Sequence, residues 1–564
     1  MLPKLLFVLC LAAAIAAEPL LLARDVHAHS HGHSVPLLEL NETEVTLWHK
    51  PIGPSYYTID WDSPVDPDRV PGWLITHAVF MGLAFFVCLP AGIALRSVKH
   101  PLHSLFVVAF YASFFVACAA SSVYRKMTPN MYPGQVHAKQ GYMLLFGALA
   151  LSIIDALSAL RRVLDLCRTA KHLTVRGVFN ALLGRNSNVG DYAELAAEEL
   201  RPIKTHHDDE LQHDEWPSQF RRNSDSTHSD GASTVFGAHS PRSEHMLEWR
   251  QPTSWITRLG RVVFEGAERI LVIGGLAQLL TGIVIYTGGC RDAYINGCLA
   301  HLIKGAIFYV YGLVSFARFL GWCSQLGWAW NRPPTTGYPT AELVESALIF
   351  AYGSTNAFME RFGASPGDPF TTKQIQHIGI AVMFWFAGLI GIAVESKTIR
   401  QWLAALAVKS SENVETPSTY SSSLNPFPAL VIGVTGAVMA AHSQVYLFQV
   451  QVHMLWGNLL LAGAVMRCMT YFFVWVSPPR STLPSRPPTE ALASFFMAAG
   501  GLSFMFSTEE LTIAAMRRGR DDIMLFMVAA VAITCLSFAW VILVTAFSGW
   551  LKIRTQRAGY RDSA

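Results

Sequence analysis

Long apolar runs separated by short polar segments form most of this chain. A helix crosses the hydrocarbon core of a bilayer in about 20 apolar residues. Ten runs reach that length, at residues 73–95, 102–122, 137–160, 267–288, 300–321, 374–395, 426–447, 453–476, 490–510 and 524–549. A weaker run at 341–359, which contains Glu342 and Glu345, predicts one more span. The pattern predicts an all-α fold, a polytopic transmembrane helical bundle of about eleven spans whose partner is the lipid bilayer.

The N-terminus has the pattern of a secretory signal peptide, with a basic residue, a short apolar core and small residues in that order. We expect residues 1–17 to be cleaved and residues 18–71 to form a polar lumenal arm. The arm contains Asn41 in the glycosylation signal Asn41-Glu42-Thr43. It also contains alternating histidines at 27–33, a pattern that suits metal capture, a pH-responsive segment or a merely soluble one.

Threading the spans in order from an external N-terminus gives a definite orientation. The predicted cytosolic segments then hold most of the Lys and Arg residues near the span ends, as the positive-inside bias requires. Residues 552–564 form a cytosolic tail. The exception is Arg517, Arg518 and Arg520, which fall in the last external loop. The sequence predicts a multi-pass protein inserted through the secretory pathway, with a lumenal or extracellular N-terminus.

The segment 161–262 differs in composition from the rest of the chain, because much of it is polar, mixed in charge and rich in serine. Such a segment buries too little apolar surface to order itself, so we expect a disordered cytosolic loop. Arg221-Arg222-Asn223-Ser224 within it suits a basophilic kinase as a partner. The loop divides the membrane domain into a three-span unit at 72–160 and a unit of about eight spans at 263–551.

Composition narrows the classes of function. Only 15% of the residues are charged, against roughly 25% in soluble domains, and a net charge of +3 gives no reason to expect a nucleic-acid partner. The chain has no phosphate-binding Gly-rich motif, no GxSxG and no HExxH, so hydrolase and ATPase chemistry are unsupported. Cys290 and Cys298 share one short external loop, where they form either a disulfide or two thiols.

Six histidines lie near ends of spans that the threading places on the external side: His77, His137, His301, His377, His442 and His453. His377, His442 and His453 come from neighbouring spans and predict a zinc, copper or iron site, to which Glu509 and Glu510 can add a carboxylate. The alternative is that each imidazole at the membrane interface only hydrogen-bonds to nearby backbone.

Arg467 lies well inside a span, where an unpaired charge is expensive. Glu345 and Glu395, near the ends of neighbouring spans, are its candidate partners. A buried structural ion pair and a transport role are both open at this point.

The chain resembles the fungal Ytp-like membrane protein family, which pairs an N-terminal domain of unassigned function with a Ytp-type C-terminal domain. The resemblance implies a multi-pass membrane protein and names no activity. It rests on the spans around His77, His103 and His137 with Pro90-Ala91-Gly92, on Ala357-Phe358-Met359-Glu360-Arg361-Phe362-Gly363, and on Gln376-His377-Ile378-Gly379, His442 and Val452-His453.

The N-terminal unit is also distantly similar to the ascorbate-reducible di-haem cytochrome b family. In that family histidines on helices two apart hold each haem, and a b-type haem takes an imidazole on each side of its iron. The resemblance implies that His77 and His137 bind haem b. His103 has no histidine partner at the cytosolic end of the fourth span.

Three classes of function remain open after these observations. The first is a haem-b or metal-dependent membrane redox protein that uses His77 and His137, which is the one enzymatic interpretation. The second is a metal-linked or proton-linked transporter that uses the C-terminal histidines. The third is a structural or regulatory membrane protein whose cytosolic loop is phosphorylated.

Overall fold

The computed structural model describes the chain at residues 35–48, 70–128, 132–169, 174–182, 255–291, 294–330, 338–359, 369–370, 372–406, 422–442, 444–478 and 487–562. The signal peptide, the histidines at 27–33 and the kinase motif predicted above lie outside the described residues. The chain divides into a small unit, residues 147–271, and a main unit, residues 1–146 and 272–564.

Fifteen helices account for almost all of the described residues. They are α1 (Glu42–Trp48), α2 (Pro71–Ser97), α3 (His103–Met127), α4 (His137–Thr169), α5 (Val175–Leu182), α6 (Trp255–Thr287), α7 (Ile295–Phe319), α8 (Ala341–Met359), α9 (Thr372–Glu395), α10 (Lys397–Ala405), α11 (Phe427–Ala440), α12 (Leu447–Val476), α13 (Pro488–Phe506), α14 (Glu509–Arg517) and α15 (Ile523–Asp562). The predicted all-α fold is confirmed for the described residues.

Nine helices in the described part of the chain are long and apolar enough to cross a membrane: α2, α3, α4, α6, α7, α9, α12, α13 and α15. Each of the eleven predicted runs contains a helix, but two of these helices fall short of this measure. Helix α11 has 14 residues, about 21 Å by helical rise, and α8 is less apolar, with Glu342 in its first turn. Leu536 and Leu543 of α15 are 72% and 68% exposed, as expected of side chains that face lipid.

Two predicted span boundaries differ from the structure because the chain leaves the helix at the bundle end. Residues 441–442 and 444–446 are not helical, so the helix of the run predicted at 426–447 stops at Ala440. The next helix then starts at Leu447 rather than 453. The run predicted at 490–510 stops at Phe506, and Thr508 starts the separate helix α14 with an extended backbone. These breaks create the turns that surround the candidate site.

Pro90 explains an irregularity in α2. A proline cannot donate to the carbonyl four residues before it, and its ring crowds that carbonyl. The helix widens to a π turn over Ala84–Cys88, directly before Pro90. The carbonyl that loses its partner is that of Phe86, and the indole N–H of Trp540 on α15 donates to it at 2.7 Å. A tertiary contact therefore satisfies a carbonyl at a position where lipid cannot.

Helices α7 and α13 approach each other closely because glycines line their crossing. A Cβ on Gly305 would lie 2.7 Å from the Gly501 carbonyl oxygen, and one on Gly501 would lie 2.6 Å from that of Gly305. Further along, a Cβ on Gly312 would lie 2.7 Å from the Ser494 carbonyl oxygen. Only small residues permit this backbone contact, as in other membrane helix pairs. The middle of the bundle is apolar, with Trp456 and Leu460 fully buried.

The described part of the N-terminal arm is attached to the end of the main unit at which α12 begins. Leu37 donates to the Val445 carbonyl and accepts from the Leu447 amide, both at 2.9 Å, in an isolated parallel bridge. Val45 on α1 is 2% exposed and packs in a cluster with Tyr294. Glu42 pairs with Arg517 through two hydrogen bonds of 2.7 and 2.9 Å. This ion pair gives a carboxylate partner to Arg517, one of the three arginines that depart from the positive-inside bias in the sequence analysis.

The small unit contains the end of α4, helix α5 and the start of α6. Arg162 donates to the carbonyls of Ala181 and Leu182 at 3.0 and 3.4 Å and so caps the C-terminus of α5. The loop predicted at 161–262 therefore differs from the structure at both ends, because helix continues to Thr169 and resumes at Trp255. Apolar residues at helical spacing, Leu157, Leu160 and Leu164, carry α4 beyond the predicted span.

Trp540→Phe tests the Pro90 contact, because it keeps an aromatic ring and removes the N–H that satisfies Phe86. We expect the free energy of unfolding to fall by about 1–3 kcal/mol, the usual effect of orphaning a buried carbonyl. Thermal unfolding of purified protein in detergent measures it. The matched control is Trp550→Phe on the same helix, where the side chain is 50% exposed. Equal stability of the two variants would show that the contact contributes nothing.

Candidate functional site

The main unit contains a cavity of about 320 Å³ at the end of the bundle that the threading predicts to be external. Helices α7, α9, α12 and α14 begin around it, and α8, α11 and α13 end there. Polar side chains from several helices and a turn face this space. Among them are Asn356, Gln444 and Lys304, the last of which follows His301 by one helical turn. The cavity therefore gathers polar side chains that are far apart in sequence.

Four histidines line this cavity: His301, His377, His442 and His453. Their rings form a row in which the centroids of consecutive members lie 5.8 Å (His301 and His453), 6.3 Å (His453 and His442) and 5.9 Å (His442 and His377) apart. The three histidines predicted as a metal site are thus brought together. The structure adds His301 as a fourth, and we call the set the histidine row.

Hydrogen bonds orient two rings of the row. His453 Nδ1 lies 2.8 Å from the Gln449 carbonyl, and His301 Nδ1 lies 2.7 Å from the Gly297 carbonyl. A carbonyl only accepts, so each Nδ1 carries the proton and each Nε2 keeps its lone pair in the neutral ring. The Gln444 amide nitrogen is 3.4 Å from His453 Nε2. Metal-binding histidines are commonly oriented in this way, through the nitrogen that does not bind the metal.

The histidine row is open and does not form a closed shell around one point. Donors on one tetrahedral zinc lie roughly 3.3 Å apart, for bonds of about 2.0–2.1 Å. Among the described residues, the group of three His, Cys, Asp or Glu donors within 4.8 Å of one another is Cys290, Cys298 and Glu510. Neighbouring rings of the row have the spacing of co-ligands, whereas bringing three donors to one ion requires side-chain rotation.

An aromatic floor closes the cavity toward the middle of the bundle. Trp456 and Phe504 stack with centroids 4.0 Å apart and planes 6° from parallel, and His301 meets the Phe504 ring edge to face at 5.3 Å. The Trp456 N–H has no hydrogen-bond partner among the described residues. The floor separates the polar cavity from the apolar middle of the bundle.

The rim carries a disulfide and two carboxylates. The structure joins Cys290 and Cys298 by a disulfide, with Cα atoms 5.3 Å apart. The Cys290 amide donates to the Glu510 carboxylate at 2.7 Å. Burial raises the pKa of Glu510 from 4.5 to about 7, and the nearby Glu509 carboxylate acts in the same direction against the lowering effect of the Cys290 amide. Asn41 is exposed where the arm crosses this end of the protein, and its glycosylation stays a prediction.

A second histidine pair lies near the N-terminal helices of the main unit. The rings of His77 and His137 have centroids 6.2 Å apart at an angle of 72°. His77 Nδ1 lies 2.9 Å from the Ala117 carbonyl, and His137 Nδ1 lies 2.8 Å from Thr281 Oγ1. His103 lies apart from this pair, with Nδ1 at 2.9 Å from the Gly92 carbonyl. The structure therefore brings together the two residues that the sequence singled out as haem ligands.

Comparison with known proteins places the chain in a family. Residues 274–549 match the C-terminal domain of YTP1-like proteins, and residues 63–160 match a domain of unknown function. A protein of Schizosaccharomyces pombe, named as an uncharacterized membrane protein, is 31% identical over 519 residues, 87% of this chain and 98% of the relative. The chain belongs to the YTP1-like membrane protein family. It is thus a multi-pass integral membrane protein.

Two further relatives of the chain come from Saccharomyces cerevisiae. One, named as an uncharacterized membrane protein, is 34% identical over 317 residues, 53% of this chain and 50% of its own length. Protein YTP1 is 25% identical over 290 residues, 51% of this chain and 55% of its own length. No solved structure matches the chain. The histidine row lies within the YTP1-like C-terminal match, and the His77 and His137 pair lies within the N-terminal match.

Sequence reasoning missed part of this YTP1-like cavity. The threading placed His301 at the same end as the other histidines, as the structure does, but it could not show that α7 and α12 bring His301 beside His453, so His301 stayed outside the predicted metal site. Lys304 and Gln444 were not singled out at all. Their signal was present, because Lys304 follows His301 by one helical turn and Gln444 lies in the short turn between His442 and His453.

The shifted pKa of Glu510 predicts a pH dependence of stability. The folded value of about 7 lies above the usual 4.5, so the folded protein binds more protons than the unfolded chain between these values. Stability then falls as pH rises from about 4.5 to about 7. Glu510→Gln should flatten that part of a plot of melting temperature against pH. Glu39→Gln, at an exposed position of the arm, is the control, and an unchanged slope in Glu510→Gln would refute the assignment.

Proposed function

We propose that this YTP1-like protein binds a transition-metal ion in the histidine row and handles that ion at the external end of the bundle. The observation that carries the proposal is the convergence of four imidazoles in one cavity of about 320 Å³. They come from three helices and a turn that are widely separated in sequence. Because ionisable side chains are costly at membrane depth, such a convergence favours a functional site over four separate interface histidines.

The chemistry of the cavity supports zinc, copper or iron as the ion. Imidazole nitrogen is a preferred ligand of these three metals, and Glu509 and Glu510 offer carboxylate oxygen at the rim. The hydrogen bonds to His301 and His453 favour binding through Nε2. Because the row is open, we expect binding to turn the rings toward the ion, with two or three of them engaged at once.

The proposed orientation places the cavity on the lumenal or extracellular side of the membrane. The positive-inside pattern supports it, and so do the disulfide and the exposed Asn41 at the same end, since both features suit a secretory compartment. The aromatic floor means that transport across the bilayer would require a conformational change that moves Trp456 and Phe504. We therefore propose ion binding as the step to test first and transport as the process that the binding serves.

Metal analysis of the purified full-length protein tests the proposal. After equilibration with micromolar zinc, copper or iron and removal of excess ion, wild type should retain one of them stoichiometrically. His442→Gln and His453→Gln should lower its affinity at least about tenfold, since even an outer-shell partner is commonly worth that much. Elemental analysis measures the amount of metal retained per protein, and titration with the metal measures its affinity.

The matched control is His100→Gln, a histidine near the opposite end of the bundle whose Nδ1 accepts from the Leu102 amide. This variant should bind metal as wild type does. The proposal fails if wild type retains no metal, or if His100→Gln loses as much as the cavity variants.

We propose as a second candidate that His77 and His137 hold one metal centre, with haem b as the group to test. Two imidazoles on opposite sides of one metal have centroids roughly 6 Å apart, for nitrogen bonds of about 2 Å. The observed 6.2 Å fits that spacing, and both Nδ1 atoms are engaged by hydrogen bonds. A haem bound there would supply electron transfer, and the distant resemblance to cytochrome b supports this reading.

The absorption spectrum of the purified protein tests the second candidate. A haem-loaded protein shows a Soret band that shifts on reduction with dithionite, and the band should be absent from His77→Ala and His137→Ala. His103→Ala should keep it. A wild-type protein without the band has no haem at this pair, and a protein that also binds no metal would favour a structural or regulatory role.

A further inference from the structure

Five charged side chains in the main unit form a row of alternating sign at the end of the bundle opposite to the histidine row. Arg318 lies 2.9 Å from Glu342 and 2.7 Å from Glu345. Arg467 lies 3.6 Å from Glu345 and 2.8 Å from Glu490. The order is acid, base, acid, base, acid, and we call it the ionic chain. Of the two partners predicted for Arg467, Glu345 belongs to the ionic chain. Glu395 instead accepts hydrogen bonds from the hydroxyls of Thr340 and Ser423.

The ionic chain is shielded from solvent. The side chains of Arg467 and Glu490 are 2% and 0% exposed. The Trp330 ring covers both guanidinium groups, at 4.8 Å from that of Arg318 and 5.1 Å from that of Arg467. In such surroundings each charge that lacks a partner costs several kcal/mol. The balance of positive and negative charge therefore decides how many of the carboxyl groups are protonated.

Charge does not balance if every member is ionised, because three carboxylates meet two guanidinium groups. A buried charge without a partner is neutralised by a proton instead. Arg318 donates charge-assisted hydrogen bonds to both Glu342 and Glu345. Glu490 pairs with Arg467 Nη2, which also donates to Ser315 Oγ at 2.9 Å, and neither Glu490 oxygen is aligned for a hydrogen bond within the described residues. Glu490 is therefore the candidate for the protonated member of the ionic chain.

Other polar atoms around Arg467 also have no hydrogen-bond partner in the described part of the chain. They are Glu345 Oε2, Arg467 Nε, Trp330 Nε1 and the Tyr471 hydroxyl. Buried polar groups in proteins are nearly always satisfied, so a cluster of exceptions indicates a site for a small polar species. The set mixes donors with acceptors. A bare metal cation binds acceptors alone, whereas water binds both kinds.

We propose that the Glu490 end of the ionic chain binds one exchangeable proton, with water at the unsatisfied polar atoms around Arg467 as the proton acceptor. Deprotonation converts the Glu490 carboxyl to a carboxylate and passes the proton to water. Glu490 lies in the first turn of α13, at the end predicted to be cytosolic. The titratable and charged groups that face it, or lie close by on the packed helices, are Tyr311 and Arg318 on α7, Glu342 and Glu345 on α8, Glu395 on α9, and Arg467 and Tyr471 on α12.

This inference does not depend on the proposed metal site, although the two share helices. Helices α7, α8, α12 and α13 each carry a member of the ionic chain, and each also lines the histidine cavity. Along α12, His453 and Arg467 are 14 residues apart, about 21 Å by helical rise. The proton site is therefore a second, separate binding site in the same bundle.

Infrared difference spectroscopy of the full-length protein tests the proposal. Because Glu510 also binds a proton below about pH 7, the spectra are taken in a Glu510→Gln background. In that background, mildly acidic and alkaline buffer should differ by a carboxylic acid C=O band that shifts in D2O and disappears at alkaline pH. Adding Glu490→Gln should remove this band, whereas adding Glu265→Gln, at a carboxylate with a 52% exposed side chain, should keep it. Absence of the band from the Glu510→Gln background, or its survival after Glu490→Gln is added, would overturn the proposal.

Thermal unfolding in mildly acidic buffer gives an independent measurement. Glu490→Gln should melt close to wild type, because a neutral amide replaces a neutral carboxyl of the same shape. Glu342→Gln should melt at a clearly lower temperature, because it removes an ionised, hydrogen-bonded partner of Arg318. If Glu490→Gln loses as much stability as Glu342→Gln, Glu490 is ionised and the proposal is wrong.

Discussion

The close contact between α7 and α13 is the interaction on which the C-terminal bundle depends. Gly305 and Gly501 let the two backbones meet, and Gly312 extends the contact toward the other end. Because both helices are fixed along this line, the residues at each of their ends are fixed as well. His301 meets Phe504 at one end, and Arg318 lies in the same charged cluster as Glu490 at the other. Two polar regions are thus positioned by one apolar contact.

The middle of the bundle keeps these polar regions apart. Trp456 and Leu460 are fully buried there, and Val431 is 2% exposed, so a packed, mainly apolar cluster lies between the histidine row and the ionic chain. Any influence of one region on the other would therefore pass through movement of whole helices. Rigid helices that carry a site at each end are suited to such coupling, since a small tilt changes both ends at once.

The hydrophobic pattern predicted most of the helices, and threading the spans in order predicted which histidines share one end of the bundle. Each of the eleven apolar runs contains a helix, and His377, His442 and His453 were correctly expected at one end. Their neighbour His301 and the Arg467 partner Glu490 were not found, because a linear sequence does not show which helices are adjacent. The link between Pro90 and Trp540 was also hidden, since 450 residues separate the strained turn from the group that satisfies it.

The arm makes its bridge to the rim with main-chain atoms alone. Leu37 uses its own amide and carbonyl, and its partners are the Val445 carbonyl and the Leu447 amide. Such bonds do not depend on side-chain identity, so these three positions can vary widely among relatives without loss of the bridge. The one substitution that removes a bond outright is proline at 37 or 447, which deletes the donor. Selection on this contact would appear in an alignment as an exclusion of proline rather than as a preferred residue.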